Sequence, residues 1–258
     1  MAKTMSKLLR ERVSNVTQLF LFSLAALLLW EAAVRLLKIP KYLMPTPLSV
    51  LVYMWEHPGY IAYHSWITLV ETVLGFVGGA FLGIVGGVGI HYSAWLRKTL
   101  YPVLIAFNTI PKVALAPLFL VWFGYGLLPK VLIALLIAFF PLVVNTVDGL
   151  NSVPRELLEL GTIFRASEWH KFWKVSFIHS LPSIFTGLKV SMATAVGGAV
   201  VAEFIGSSTG LGYIIVMANT SVNLASMFAS FVLLTVIALG LFALMERIQK
   251  LAIPWSGM

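Results

Sequence analysis

Among the ionisable residues inside long apolar stretches of this sequence are Glu71, Lys112 and Glu203. A charge in apolar surroundings is costly unless it is paired, so each raises the question of a partner or a ligand. Lys112 shares its stretch with Asn108 and Thr109 among Pro102, Pro111 and Pro117, and Asn145 is a lone amide in a further apolar run. Such residues can form ion pairs or line a polar path. Acid–base catalysis is not indicated, because Glu71, Asp148 and Glu203 fall on different runs with no spacing that pairs them. Neither a Gly-x-x-x-x-Gly-Lys-Ser/Thr phosphate loop nor a His-Glu-x-x-His metal pair occurs. The sequence has no cysteine, which removes disulfides, thiolate metal sites and a cysteine nucleophile. Its five histidines, His57, His64, His91, His170 and His179, are scattered along the chain. No metal site and no cofactor in this chain are expected.

The elements that must position these residues are membrane helices. Of 258 residues, 59% are hydrophobic and 11% charged, against about 25% charged in soluble domains. A bilayer crossing needs roughly 20 mostly apolar residues. Runs near 16–37, 61–90, 100–123, 131–147, 182–205 and 227–245 meet that need, giving an all-α polytopic protein of about six spans. The expected organisation is an N-terminal tail over 1–15, a transmembrane domain over 16–250 and a C-terminal tail over 251–258. In the first run Glu31 and Arg35 lie four apart, acid first, and can neutralise each other on one helix face.

The net charge of +8 reports topology and excludes a nucleic-acid reading. Lys3, Lys7, Arg10, Arg12, Arg97, Lys98, Arg155, Arg165, Lys171, Lys174, Arg247 and Lys250 all fall on one side of a six-span arrangement. Cytoplasmic loops carry the Lys/Arg excess, so both termini are expected in the cytoplasm. Arg35, Lys38, Lys41 and Lys130 fall on the other side.

Local patterns add detail. Thr46 and Pro47 predict a short helix across 48–56. Gly75, Gly79, Gly83 and Gly87 repeat every fourth residue, a face on which another backbone can approach closely. The prolines predict an interrupted third span, and irregular backbone at that depth needs protein or a water-filled cavity around it. Lys112 there costs about 2.5–3.5 kcal/mol, with Glu71 or Glu203 as candidate partners. It either lies on a polar path or forms a packed ion pair. The loop over 151–181 predicts two short amphipathic helices, the second starting at Ser167 and carrying Trp169, Phe172 and Trp173 at helical spacing.

That loop reads ELGTIFRASEWHKFWKVSFIHSLPSIFTGLKV and resembles the EAA loop of ABC-importer permeases. Glu159 takes the acidic place, Leu160 and Gly161 the two alanines, Arg165 the glycine place, and Leu181 with Pro182 the closing pair. WE at 30–31, MPTP at 44–47, His64 with Thr68 before GFVGG, IPKVALAPLFLVWFG at 110–124, FPLVVNTVDG at 140–149 and AEFIGSSTGLGY at 202–213 resemble the nitrate/sulfonate/taurine branch. Glu71 departs from it, standing where arginine is expected in many relatives.

The resemblance implies a type I, MetI-like importer fold in the bacterial cytoplasmic (inner) membrane. Implied partners are a second permease copy, an ABC ATPase dimer that binds ATP and Mg²⁺, and an extracytoplasmic solute-binding protein. Glu156, Glu159, Gly161, Phe164, Arg165, Ala166 and Trp169 would form the ATPase-coupling helix. Asn108, Lys112, Glu71, Asn145 and Glu203 are candidates for the translocation path. At Arg165 a right-handed turn is expected, since the left-handed one costs a non-glycine residue roughly 1–2 kcal/mol. A self-contained secondary transporter or channel is the alternative, but it calls for an internal repeat that the two halves do not show.

Overall fold

The computed structural model describes the backbone from Ala2 to Gly257 and, outside residues 1–16, 19, 20 and 256–258, the side chains. The side chains of Lys3, Lys7, Arg10 and Arg12, and so the chemistry of the expected tail over 1–15, lie outside the described residues. Every regular element among the described residues is helical.

The chain divides into two compact units. One comprises the chain up to Pro58 together with Met217–Ala229. Here α1 (Ala2–Leu36) presents Glu31, whose Oε1 accepts from Arg35 Nε at 2.6 Å and whose Oε2 accepts the Leu48 N–H at 3.0 Å. Helix α2 (Pro47–Glu56) begins as its residues predict: Thr46 Oγ1 accepts the Ser49 N–H at 3.1 Å and Pro47 fills the first position. Glu31 therefore neutralises Arg35 and also satisfies a free amide at the start of α2.

The second unit, Gly59–Val216 with Ser230–Met258, is built around α6 (Leu127–Asn151). On one side runs α3 (Pro58–Tyr92), whose four-residue glycine repeat meets α6 in strict register. A Cβ placed on Gly75 would stand 2.4 Å from Ala134 Cβ, on Gly79 3.0 Å from Ala138 Cβ, on Gly83 2.9 Å from Leu142 Cβ and on Gly87 2.6 Å from Thr146 Cβ. Removing those side chains lets the two backbones close, so dispersion contacts replace the bulk that is missing. Against α6 also packs α9 (Phe177–Gly206), where Gly187 meets Asn145, Gly198 meets Ala134, and Ser191 Oγ donates to Ala138 O at 2.6 Å. Phe76, Ala138, Met192, Ala195, Val196 and Leu241 form the largest apolar cluster.

The interrupted span is present as α4 (Ala94–Thr109), a 3₁₀ turn at Lys112–Leu115 and α5 (Ala116–Phe123), with a 91° bend between the halves. Pro111 provides no N–H at the break. Helices α7 (Arg155–Ile163) and α8 (Glu168–Lys171) follow α6. The expected second amphipathic helix is not a separate piece. From α8 the chain passes through a π-helical turn at Phe172–Ser176 directly into α9, giving one helical run over Glu168–Gly206. Nothing in 172–181 supplies a stop, and Pro182 lies only in the second turn of α9, where it bends a helix more readily than it ends one. Then come α10 (Leu211–Thr220), α11 (Leu224–Ala252) and a 3₁₀ turn at Pro254–Gly257.

Among the described residues four helical segments, Pro58–Tyr92, Leu127–Asn151, Glu168–Gly206 and Leu224–Ala252, are long and apolar enough to cross a membrane, and the bent pair makes a fifth if counted as one. The span expected over 16–37 overlaps the undescribed side chains.

Candidate functional site

Two regions carry the residues singled out above. The first is the projection of α7 and α8. Pro154 precedes α7, and Glu156 lies in its first turn, where a carboxylate suits the positive end of the helix. Glu159 is exposed, as are Ile163 (74%), Phe164 (81%) and Trp169 (69%). Arg165 corrects the expectation of a right-handed turn: its φ is +52°. The Ala166 N–H reaches Gly161 O and the Arg165 N–H reaches Thr162 O, both at 2.9 Å, the paired bonds of a Schellman cap. The family's glycine position is thus left-handed here with arginine in it. At Gly161 a Cβ would meet Lys171 Cγ at 3.0 Å. Lys171 lies across α7, donating to Thr162 Oγ1 at 3.3 Å and pairing with Glu168. One lysine therefore holds the two arms together.

Phe172 stacks edge-on with Tyr92 (5.6 Å) and Trp173 (4.9 Å), and Trp173 with Phe177 (5.0 Å). They root the projection in the bundle; Trp169 touches this cluster through Trp173 at 5.6 Å yet stays 69% exposed, and Ile163 and Phe164 face outward.

The second region is a buried polar seat at the start of α10. The first amides of a helix have no partner within it, and here three are met by side chains of α3 and α9. The Gly210 N–H donates to His64 Nδ1 (2.9 Å), the Leu211 N–H to Thr68 Oγ1 (2.8 Å) and the Gly212 N–H to Glu203 Oε2 (2.5 Å). Thr68 Oγ1 in turn donates to Glu203 Oε1 at 2.6 Å. Gly210 has φ +104°, and a Cβ there would sit 2.0 Å from Glu203 Oε1, so only glycine fits.

Beside Glu203 lies Glu71, fully buried and close enough for the two charges to interact. Glu71 pairs with Lys130, which also donates to Ser207 Oγ at 3.0 Å. This corrects the expected pairing of Lys112. Lys112 Nζ bonds its own neighbour Asn108, at O (2.9 Å) and Oδ1 (2.6 Å), and lies 4.9 Å from the Phe140 ring centroid. The break at Pro111 turns Lys112 back over the end of α4, so it satisfies itself locally. Asn145 donates to Pro141 O at 2.8 Å. The five path candidates thus separate into Glu71 with Glu203, Asn108 with Lys112, and Asn145 by itself.

Lys130, His64, Thr68 and Ser207 were not singled out as site residues from the sequence. Lys130 has the position of a loop charge, yet it is one turn inside α6 and is buried. A buried Glu71 in the sequence was the signal that some cation had to reach it. Gly206-Ser207-Ser208-Thr209-Gly210 also has the spacing of a nucleophile elbow. It joins two helices where an elbow joins strand to helix, and no histidine bonds Ser208 among the described residues. No group of metal ligands occurs among the described residues either.

The sequence profile of the family described as "Binding-protein-dependent transport system inner membrane component" matches residues 75–256. The riboflavin transport system permease protein RibX of Chloroflexus aurantiacus is 36% identical over 233 residues, spanning 90% of this chain and 87% of that protein. The formylaminopyrimidine transport permease protein ThiX of Halalkalibacterium halodurans is 33% identical over 236 residues, spanning 91% and 94%. The fold matches a solved structure of the inward-facing MetNI methionine ABC transporter with a TM-score of 0.64 at 22% identity, over 72% of this chain and 92% of that one. A helical bundle with a broken span, an exposed two-helix projection and matches along most of its length place this chain in the family of binding-protein-dependent transport system inner membrane components, the permease subunits of ABC importers.

Proposed function

We propose that this permease works as one of two identical copies, moving a small solute inward across the bacterial cytoplasmic membrane. An extracytoplasmic binding protein delivers the solute. A separate cytoplasmic ATPase dimer supplies the drive, holding ATP and Mg²⁺ itself. Both termini face the cytoplasm. The ATPase docks on α7 and α8 through Glu156, Glu159, Phe164, Arg165 and Trp169, while Gly161 and Ala166 shape the turn between the arms.

The observation that carries this reading is the outward set Ile163, Phe164 and Trp169 at 69–81% exposure, on a projection whose base is fixed by its own aromatic cluster. Large exposed apolar side chains on a rigid support suit a protein partner better than solvent. A coupling element must also resist load, and the Lys171 bridge with the capped end of α7 supplies stiffness. Glu159→Lys and Phe164→Asp each replace an exposed side chain, so membrane insertion is expected to be normal. Pull-down from membranes should show the ATPase lost, or hydrolysis no longer stimulated by loaded binding protein. Wild-type association together with wild-type stimulation in both variants would remove this projection as the interface.

A further inference from the structure

We infer that a cavity at the foot of α9 holds the headgroup of an anionic phospholipid; this deepens the permease reading above and rests on it for which leaflet the site meets. The cavity, about 600 Å³, lies where the end of α6, the start of α7, the first turns of α9 and the C-terminal 3₁₀ turn converge. Lys174, Ile178, His179 and Pro182 reach it from one face of a single helical run. Lys174 and His179 stand just ahead of the apolar run near 182–205, the depth at which a bilayer changes from headgroups to hydrocarbon.

The lining sets the chemistry of the ligand. Lys174 and His179 are part of it and no carboxylate is. Among the described residues neither side chain takes part in a hydrogen bond or an ion pair, in contrast to Lys171, which Glu168 and Thr162 hold. Ser183 adds a hydroxyl that has no partner of its own. An ammonium, an imidazole N–H and a hydroxyl are donors, and the Lys174 charge is offset by nothing in the cavity, so the acceptor they suit is an anion. The rest of the wall is apolar, and Leu157, Ile178 and Trp255 are exposed along it. A free phosphate would leave those side chains in water. A phosphodiester carrying acyl chains covers them while its charge meets the donors. Trp255 suits the same boundary, where indole rings gather. Basic pockets between helices on the cytoplasmic side of a membrane select anionic headgroups on this principle.

The test uses the full-length permease in nanodiscs made from an equal mixture of phosphatidylcholine and phosphatidylglycerol. Mass spectrometry of the released permease should find phosphatidylglycerol retained over phosphatidylcholine by about tenfold. Glycerophosphoglycerol, the same headgroup without chains, should compete at least about tenfold less well than short-chain phosphatidylglycerol. Lys174→Ala combined with His179→Ala should remove the preference; both side chains are exposed and bond nothing, so the fold is expected to survive. Trp255→Asp places a negative charge on the opposite wall, should have the same effect, and serves if the double variant does not fold. Lys98→Ala, an exposed lysine outside the cavity, should keep the preference. Equal retention of the two lipids by wild type, an unchanged preference in the cavity variants, the same loss in Lys98→Ala, or equal competition by glycerophosphoglycerol would each overturn the assignment. The readout needs no ATPase and no fixed orientation, because both leaflets of the disc are alike. Failure of the permease reading would instead be seen in the projection variants.

Discussion

Arg165 occupies a conformation that costs an ordinary residue roughly 1–2 kcal/mol, and two backbone hydrogen bonds at 2.9 Å hold it there. At about 1 kcal/mol net for each bond, the cap offsets the strain without a large surplus. Arg165→Gly keeps both bonds and removes the strain, so amide exchange over 160–166 should slow and the thermal midpoint should rise. Faster exchange would mean that the arginine side chain, and not the cap, stabilises the turn. The opposite outcome is expected at Gly210, where a methyl group would stand 2.0 Å from a carboxylate oxygen on a left-handed backbone. Gly210→Ala should leave little assembled protein in detergent extracts. Gly197→Ala, with nothing within 4 Å of the added carbon, should match wild type. The cost of a left-handed arginine was readable in the residues; the hydrogen bonds that outweigh it depend on where α7 stops. In the same way, spacing within a helix exposed the Glu31–Arg35 pair, whereas Glu71 with Lys130 depends on how two helices align in depth.

Helices α3 and α6 meet along a seam that the four-residue glycine repeat announced. Its reach was legible because a period of four on a helix leaves one slowly drifting face, and each glycine does meet a side chain of α6 within 3.0 Å of its virtual Cβ. Gly79→Leu must separate the helices or distort them, an overpacking cost of about 1–3 kcal/mol or more. Its yield of folded protein and its unfolding temperature should both fall. Gly86 lies off the seam, its nearest neighbour 3.8 Å from an added Cβ. Gly86→Ala should therefore be neutral or gain up to about 1 kcal/mol of helix propensity. The continuity of α8 with α9 was not legible in this way. Ser167 gives a genuine start signal, and Leu181 with Pro182 reads like the start of another helix, although a proline in the second turn is tolerated.

For the molecule as a whole, the basic residues predict which ends of the helices share a compartment. Reporter fusions after Lys41 and Asn223 should report the outside, and those after Lys98, Lys174 and Lys250 the inside. A single inverted fusion among the central loops would break that topology. Lys112 poses a question about transport rather than assembly. Its partners are Asn108 and the Phe140 ring, so Lys112→Met leaves no carboxylate orphaned and the complex should assemble normally. A changed transport rate in that assembled complex would place Lys112 on the path, and an unchanged rate would remove it.

The uninterrupted run from Glu168 to Gly206 contains 39 residues, roughly 58 Å of helix at 1.5 Å per residue. Trp169 stands at one end and Glu203, which anchors the first turn of α10, at the other. A flexible loop between them would absorb a push, whereas a helix carries thrust and torque along its axis. The molecule thus contains a connecting rod, with the π-helical turn as its joint. If the ATPase docks on the projection as proposed, load taken up by the exposed tryptophan would arrive, one shaft length away, at the carboxylate beneath α10.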